Sequence, residues 1–181
     1  MARPFEGIKV VDLTHVLAGP FCAYQLAILG AETIKVERPG VPDQVRAGGS
    51  DPELNARLMG TNYLTQNANK RSIVLDLKSK AGRDILIKMI KGTDVLLENY
   101  RAGAMDALDL GYESLKAINP MLVYCSMTGY GQNGRKADVT AYDTNIQADS
   151  GLMSVTGTPE VSPLKVGAPV LDYASGTMAA F

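Results

Sequence analysis

One histidine, two cysteines and nineteen carboxylates are the side chains of this 181-residue chain from which a metal-ligating, general-base or nucleophilic group could be drawn. With a lone histidine and two isolated cysteines, no zinc-ligand spacing exists and no metal site is expected. His15 lies in the turn Thr14-His-Val-Leu-Ala-Gly-Pro20. A hydrogen-bonded turn histidine is the plainer reading there, and a general base the alternative. The same turn carries one glycine where a dinucleotide site needs Gly-x-Gly-x-x-Gly, so NAD or FAD is not expected. No phosphate-binding P-loop, no Gly-x-Ser-x-Gly elbow and no His-Glu-x-x-His helix is present. That leaves the carboxylates, and composition cannot choose among them. Asp172 stands where the stretch Val170–Phe181 reads as a helix beginning near it, so local pattern alone makes it an N-cap.

The elements that would position these groups alternate in type. Ile8–Leu13, Glu32–Glu37, Ser72–Leu77, Asp94–Glu98 and Met121–Ser126 are short runs rich in β-branched residues and leucine, and read as buried strands. Between them, Phe21–Leu29 reads as a helix closed by Gly30 as its C′ residue, and Tyr112–Ile118 as a short helix. Lys80–Lys91 carries Ile85, Leu86, Met89 and Ile90 on one face and lysines on the other, the pattern of an amphipathic helix. From Arg38 to Leu64 prolines and glycines break the pattern, predicting a long irregular segment, of a length that is usually either functional or disordered. Strand–helix alternation predicts an α/β fold, a Rossmann-like parallel sheet with flanking helices.

Composition closes off other classes. The net charge of −1, with scattered basic residues, gives no field to attract nucleic acid or an anionic membrane surface. No apolar run approaches the ~20 residues of a membrane span, and the N-terminus lacks the apolar core of a signal peptide. Cys22 and Cys125 sit in apolar surroundings and are expected as reduced core thiols of a cytoplasmic protein.

Five segments, in order, resemble family III CoA-transferases, the group of formyl-CoA transferase, carnitine CoA-transferase and the α-methylacyl-CoA racemases. They are Gly7-Ile-Lys-Val-Val-Asp-Leu-Thr-His-Val-Leu-Ala-Gly-Pro20, Leu29-Gly-Ala-Glu-Thr-Ile-Lys-Val-Glu-Arg-Pro-Gly40, Asn69-Lys-Arg-Ser-Ile-Val-Leu-Asp-Leu-Lys78, Asp94-Val-Leu-Leu-Glu-Asn-Tyr-Arg101 and Asn119-Pro-Met-Leu-Val-Tyr124. The resemblance implies acyl-CoA and carboxylic acid substrates, exchanged through an aspartyl-CoA thioester. It places the reacting aspartate at Asp172, after the approach Gly167-Ala-Pro-Val-Leu171. It places coenzyme A against Leu17, Ala18 and Arg38, then Leu75 to Lys78, and Asn99, Tyr100 and Arg101. Tyr142 and Asp143 would face the pantetheine and thioester. It further implies that residues 1–181 form the N-terminal part of a large CoA-binding domain, whose remainder and small domain follow, in a homodimer of interlocked chains.

Two positions depart from the transferase pattern, and a third from the racemase pattern. Many relatives have Arg-Pro-Gly-Ala-Met-Asp-Arg, whereas this chain has Arg101-Ala-Gly-Ala-Met-Asp-Ala107 and so lacks the second arginine. Formyl-CoA transferase has glutamine where this chain has Leu17. Racemases have Gly-His-Asp where this chain has Ala141-Tyr-Asp143. A tyrosine, with an ordinary pKa of about 10, does not replace that histidine in proton transfer, so CoA transfer is expected ahead of epimerisation. A CoA-binding module without catalysis is the remaining alternative.

Overall fold

The computed structural model describes residues 3–181. Five strands form one sheet: β1 (Lys9–Asp12), β2 (Glu32–Glu37), β3 (Lys70–Val74), β4 (Val95–Glu98) and β5 (Val123–Ser126). The helices are α1 (Ala18–Ile28), α2 (Pro52–Ala56), α3 (Thr61–Asn67), α4 (Lys80–Ile90), α5 (Tyr112–Ile118), α6 (Asp143–Asp149) and α7 (Val170–Ala180). The strand order is β3-β2-β1-β4-β5, with every neighbouring pair parallel. The α/β fold expected from the alternating pattern is the one observed. Because the chain winds outward from β1 in one direction and from β4 in the other, the topological switch point lies between those two strands.

The central strands β1 and β4 carry the apolar pairs Val10-Val11 and Leu96-Leu97 because both faces of the sheet are covered there, whereas the edge strands β3 and β5 are partly exposed. Val10 and Leu97 point to one face, where they pack with Cys22, Ala23 and Leu26 of α1 and with Ala179 and Ala180 of α7. Val11, Val36 and Leu96 point to the other, against Leu86 and Ile90 of α4 and Leu115 of α5. The two cysteines belong to the first cluster and are free thiols. Burial pushes the Cys22 thiol up to about 12, which leaves it inert as a nucleophile.

Helix boundaries follow local chemistry. α1 ends in a Schellman arrangement: Gly30 takes φ +117°, its N–H donates to Ala27, and the Ala31 N–H donates to Leu26. α1 begins three residues earlier than its apolar pattern suggests, because Pro20 occupies the first turn, where a missing N–H forfeits no intrahelical bond. α4 is capped by the Ser79 hydroxyl, which accepts from the Gly82 N–H at 3.0 Å. Its buried stripe is Leu86 and Ile90 with Ile87 and Met89 at the margin; Ile85, expected on that stripe, is 41% exposed. β3 is displaced two residues toward the N-terminus, since pairing with β2 runs from Thr33↔Lys70 to Glu37↔Val74. Leu75 and Leu77 then leave the ladder and enter the core.

The segment 38–64 is not irregular. It holds a 3₁₀ turn at Gln44–Ala47, then α2, then the start of α3. Asp51 caps α2 by accepting from the Glu53 and Leu54 N–H groups, with Pro52 at the first helical position. Arg46 anchors the segment, bonding both oxygens of Glu37 (2.8 and 2.6 Å) while its guanidinium lies 3.6 Å from the Tyr63 ring centroid. A bidentate, stacked arginine accounts for order where prolines and glycines forecast none.

Candidate active site

The first strand delivers the chain into a turn that is held from beneath by buried charge. Asp12, 0% exposed, receives Lys70 Nζ at 2.8 Å and the hydroxyl and N–H of Thr14. Burial alone would raise the Asp12 carboxyl; Lys70 and Lys35 reverse that and hold it below its ordinary value. Lys35, also 0% exposed, donates to the Thr14 carbonyl at 2.6 Å and lies 3.5 Å from the Asp43 carboxylate. Both Asp43 oxygens accept the Val16 N–H, at 3.3 and 3.2 Å. Val16 has φ +70°, a left-handed conformation that a β-branched residue seldom adopts. The turn is therefore strained and fixed by an ion pair, and it hands the chain to Leu17 and to the first turn of α1.

The turn also reaches across the switch point. The His15 N–H donates to Asn99 Oδ1 and the Asn99 amide donates back to the His15 carbonyl, both at 2.8 Å. The His15 ring meets the Tyr100 hydroxyl at 3.2 Å and packs edge-on against its ring. Burial, then the positive charge of Lys35, lowers the His15 pKa, so the ring is neutral at physiological pH. Its role is the hydrogen-bonded turn histidine expected from the sequence.

Beyond β4 and β5 a cleft of about 520 Å³ opens between these loops and α7. Ala18, Asn99, Tyr100, Arg101, Tyr142, Asp143 and Asp172 all line it. Further wall comes from Cys125 and Ser126 at the end of β5, from Met127 to Tyr130 after it, and from Ser175 and Met178 of α7. The cleft lies outside the carboxyl ends of the strands and beside the switch point, the usual ligand position in open α/β sheets.

Asp172 occupies the third position of α7, which starts at Val170, two residues before the expected start. Its carboxylate is not the cap. The cap is the buried Asp143, from the start of α6: its Oδ1 accepts the N–H groups of Leu171 (2.7 Å) and Asp172 (3.2 Å). Its Oδ2 accepts a short bond from the Gln147 amide. With its N–H groups served from elsewhere, the half-buried Asp172 carboxylate is left without a hydrogen-bond donor among the described residues. Burial, with a smaller repulsion from Asp143, raises its pKa from 3.8 to about 6. It stays mainly ionised at pH 7 and is more basic than an ordinary carboxylate. A half-buried anion with no protein donor, opening on a cleft, is suited to attack on a carbonyl carbon.

The expected residues fall into two groups along one edge of the sheet. Leu17 is the residue before α1, next to the cleft-lining Ala18. Arg38 follows β2 and is exposed; Leu75 and Lys78 follow β3, on the far side of the switch point from the cleft. Leu75 is 6% exposed with its side chain in the core and its N–H donated to the Glu37 carbonyl, so it offers a ligand little surface. Sequence reasoning passed over α6 and Gln147, the residue that secures Asp143. Asp143-x-x-x-Gln147, an acidic start with an amide one turn later, was the available signal.

Comparison with known proteins agrees with this architecture. The CoA-transferase family III model matches residues 5–181. Human succinyl-CoA:glutarate CoA-transferase is 44% identical over 98% of this chain, which spans 40% of that protein. Acetyl-CoA:oxalate CoA-transferase of Acetobacter aceti is 46% identical over 96% of this chain, which spans 43% of it. The crystal structure of a CAIB/BAIF family protein from Brucella suis superposes with a TM-score of 0.89 at 37% identity, covering 99% of this chain and 48% of that one. The chain thus spans under half the length of these relatives. With its sheet order, its cleft and a family match that runs from residue 5 to residue 181, the chain belongs to CoA-transferase family III.

Proposed function

We propose that the protein containing this chain exchanges coenzyme A between carboxylic acids, with Asp172 carrying the transferred groups covalently. The observation that carries the reading is the Asp172 carboxylate itself: ionised, undonated to, and facing a cleft from the first turn of a helix. An Asp172 oxygen attacks the thioester carbonyl of the donor acyl-CoA, and CoA thiolate leaves, giving a mixed anhydride. The thiolate then attacks the aspartyl carbonyl and expels the donor acid as a carboxylate, leaving an aspartyl-CoA thioester. The acceptor carboxylate attacks that thioester and releases thiolate, forming a second anhydride. Attack of the thiolate on the acceptor's acyl carbon regenerates Asp172. Each step exchanges one leaving group for another at a carbonyl, which is how covalent catalysis divides a difficult transfer.

The cleft's other residues suit the substrate. Arg101, exposed at the rim, offers a fork of donors to a phosphate or carboxylate. Tyr100, Tyr130, Tyr142 and Met178 give apolar area with hydroxyl tips for an acyl-pantetheine chain. The exchange reading is supported over epimerisation by the cleft's chemistry: the residues lining it include Asp172 but no histidine, and the His15 ring is paired with the Tyr100 hydroxyl. Membership of the family supports acyl-CoA and carboxylate as the substrates and an interlocked homodimer as the working form. Among the described residues, no helix is long and apolar enough to cross a membrane. The test is the full-length enzyme with Asp172→Asn, assayed for exchange of a labelled acid. Peptide mass spectrometry of wild type mixed with acyl-CoA should find a CoA adduct on the peptide holding residue 172. Full exchange by the Asn variant, or an adduct on another peptide, would sink the assignment.

A further inference from the structure

Gln147 lies on α6, one turn after Asp143, and is 0% exposed. Both ends of its amide are used. Nε2 donates to Asp143 Oδ2, and reaches toward the Ala168 carbonyl at 3.5 Å. Oε1 accepts the Val166 N–H at 2.9 Å. One side chain thus ties the carboxylate that caps α7 to the approach 166–168 that leads into α7. A glutamine is the side chain for this: the site needs a donor toward a carboxylate and an acceptor toward a backbone N–H, one amide length apart. Nothing about the α6 pattern requires a buried polar residue at this position, and an unmatched amide there would be costly to bury.

We propose that Gln147 is a positioning residue for Asp172, acting through Asp143 to fix both the entry of α7 and the distance between the two carboxylates. The inference rests on the reading of Asp172 as the covalent carrier. Asp143 has two opposed effects on Asp172. Its Oδ1 holds the first turn of α7 in place, and its charge lies beside the Asp172 carboxylate. If Asp143 were free to swing, Asp172 would lose both its backbone anchor and its fixed electrostatic surroundings. Gln147 removes that freedom. Other charges near Asp172 do not compete with this control. α1, packed against α7, brings only the buried Cys22 thiol, held neutral, and the Tyr24 phenol, and α6 brings Asp143 and the exposed Asp149, which is paired with Lys136. Across the cleft stand Arg101 and the phenols of Tyr100, Tyr130 and Tyr142.

The test uses the full-length enzyme with two isosteric changes, Gln147→Glu and Asp143→Asn. In Gln147→Glu the acceptor toward Val166 is kept, and the donor toward Asp143 becomes a second negative charge. In Asp143→Asn the acceptor that caps α7 is kept and the charge is removed. Asp172 is titrated directly by the ¹³Cγ shift of labelled aspartate, its signal assigned from the Asp172→Asn spectrum. The midpoint is expected to rise by at least about half a pH unit in Gln147→Glu and to fall by a similar amount in Asp143→Asn. In exchange assays Gln147→Glu is expected to lower kcat by about 10- to 100-fold with KM for acyl-CoA within about threefold, as for a displaced reacting group. An Asp172 midpoint that stays put in both variants overturns the proposal, whatever happens to the melting temperature. So does a Gln147→Glu enzyme with wild-type kcat. Because the titration needs no turnover, an enzyme found inactive in exchange would refute the transferase reading while the midpoint still decides the role of Gln147.

Discussion

Replacing Asp172 by asparagine should make the protein more stable above neutrality while abolishing exchange, and the size of the gain can be worked from the site. The carboxyl is displaced from 3.8 to about 6, chiefly by burial and secondarily by Asp143. At about 1.4 kcal/mol per pH unit, that gap corresponds to about 3 kcal/mol between neutral and charged forms. The group is only half-buried, and screening by solvent brings the realistic figure to about 1–1.5 kcal/mol. A folded-state pKa above the unfolded one means that the native protein binds this proton more tightly. The group's contribution is therefore full below about 3.8, falls as pH rises from there, and is lost above about 6. The stability difference between Asp172→Asn and wild type should start from a constant offset near pH 4, climb by about 1–1.5 kcal/mol, and level off above pH 7. For a domain of 150–250 residues the climb amounts to about 2–6 °C in Tm. Urea melts of both proteins at half-unit pH steps would measure it. Comparing the two at each pH removes the offset due to the amide itself. A difference that is flat with pH would refute the claim that Asp172 is held as a strained anion. A difference that falls toward alkaline pH would show instead that the carboxylate has a favourable partner.

Three further outcomes follow from the same geometry. The kcat/KM of exchange should rise with pH through about 6 and level off, because the attacking form is the ionised one; a level profile between pH 5 and 7 would argue against Asp172 as the nucleophile. Lys70→Met should lower the unfolding free energy by about 3–5 kcal/mol in denaturant titration, since it strands Asp12 as a buried charge beside a single remaining lysine. The Asp12 contribution, present above its ordinary value and lost as pH falls through its depressed folded value, should disappear from the acid limb of that variant. Gly176→Ala would place a Cβ 2.5 Å from the Ala18 carbonyl oxygen and 3.1 Å from the Phe21 ring, at the crossing of α7 and α1. It should destabilise by about 1–3 kcal/mol in thermal or urea melts and reduce exchange, because the two helices that bring Asp172 and Ala18 together must separate.

What could be read from the chain, and what could not, divides by distance. The five strands were legible because each is, or adjoins, a short run with β-branched residues or leucine, set off by helical or turn-like sequence. Gly30 was legible because a left-handed C′ position is a local requirement. The sheet order was not, since nothing within one strand names its neighbour. The order within 38–64 was missed because its determinants, Glu37, Arg46 and Tyr63, are dispersed over 27 residues and meet only when folded. α6 was missed because Ile146 is the one strongly apolar residue of its turns, too few for a periodic signal. Asp172 is the sharpest case. Local pattern names it an N-cap, and only resemblance to relatives singles it out as reactive. The folded chain explains why the local reading fails: Asp143, 29 residues earlier, takes the capping role and frees the carboxylate.

The turn after β1 shows how this sheet serves a ligand site without the glycines of dinucleotide-binding folds. There the first glycine allows a tight turn and the second lets a pyrophosphate approach the backbone. Here the position that needs a left-handed backbone is Val16, and its strain is of the order of 1–3 kcal/mol. Glycine would relieve the strain but would leave the turn free to choose among conformations. The valine is instead held by Asp43, which is held by Lys35, whose ammonium also grips the Thr14 carbonyl. Thr14, Val16 and Asn99 are thereby locked in one arrangement on either side of the switch point. An ion pair buried at 0% exposure on both side chains is a poor source of net stability, because desolvation offsets most of the attraction. Its effect is on conformation. On the proposed CoA-binding reading, a turn with one accessible shape would present Leu17 and the start of α1 to the substrate without first ordering them, and ordering that is complete before binding does not subtract from affinity.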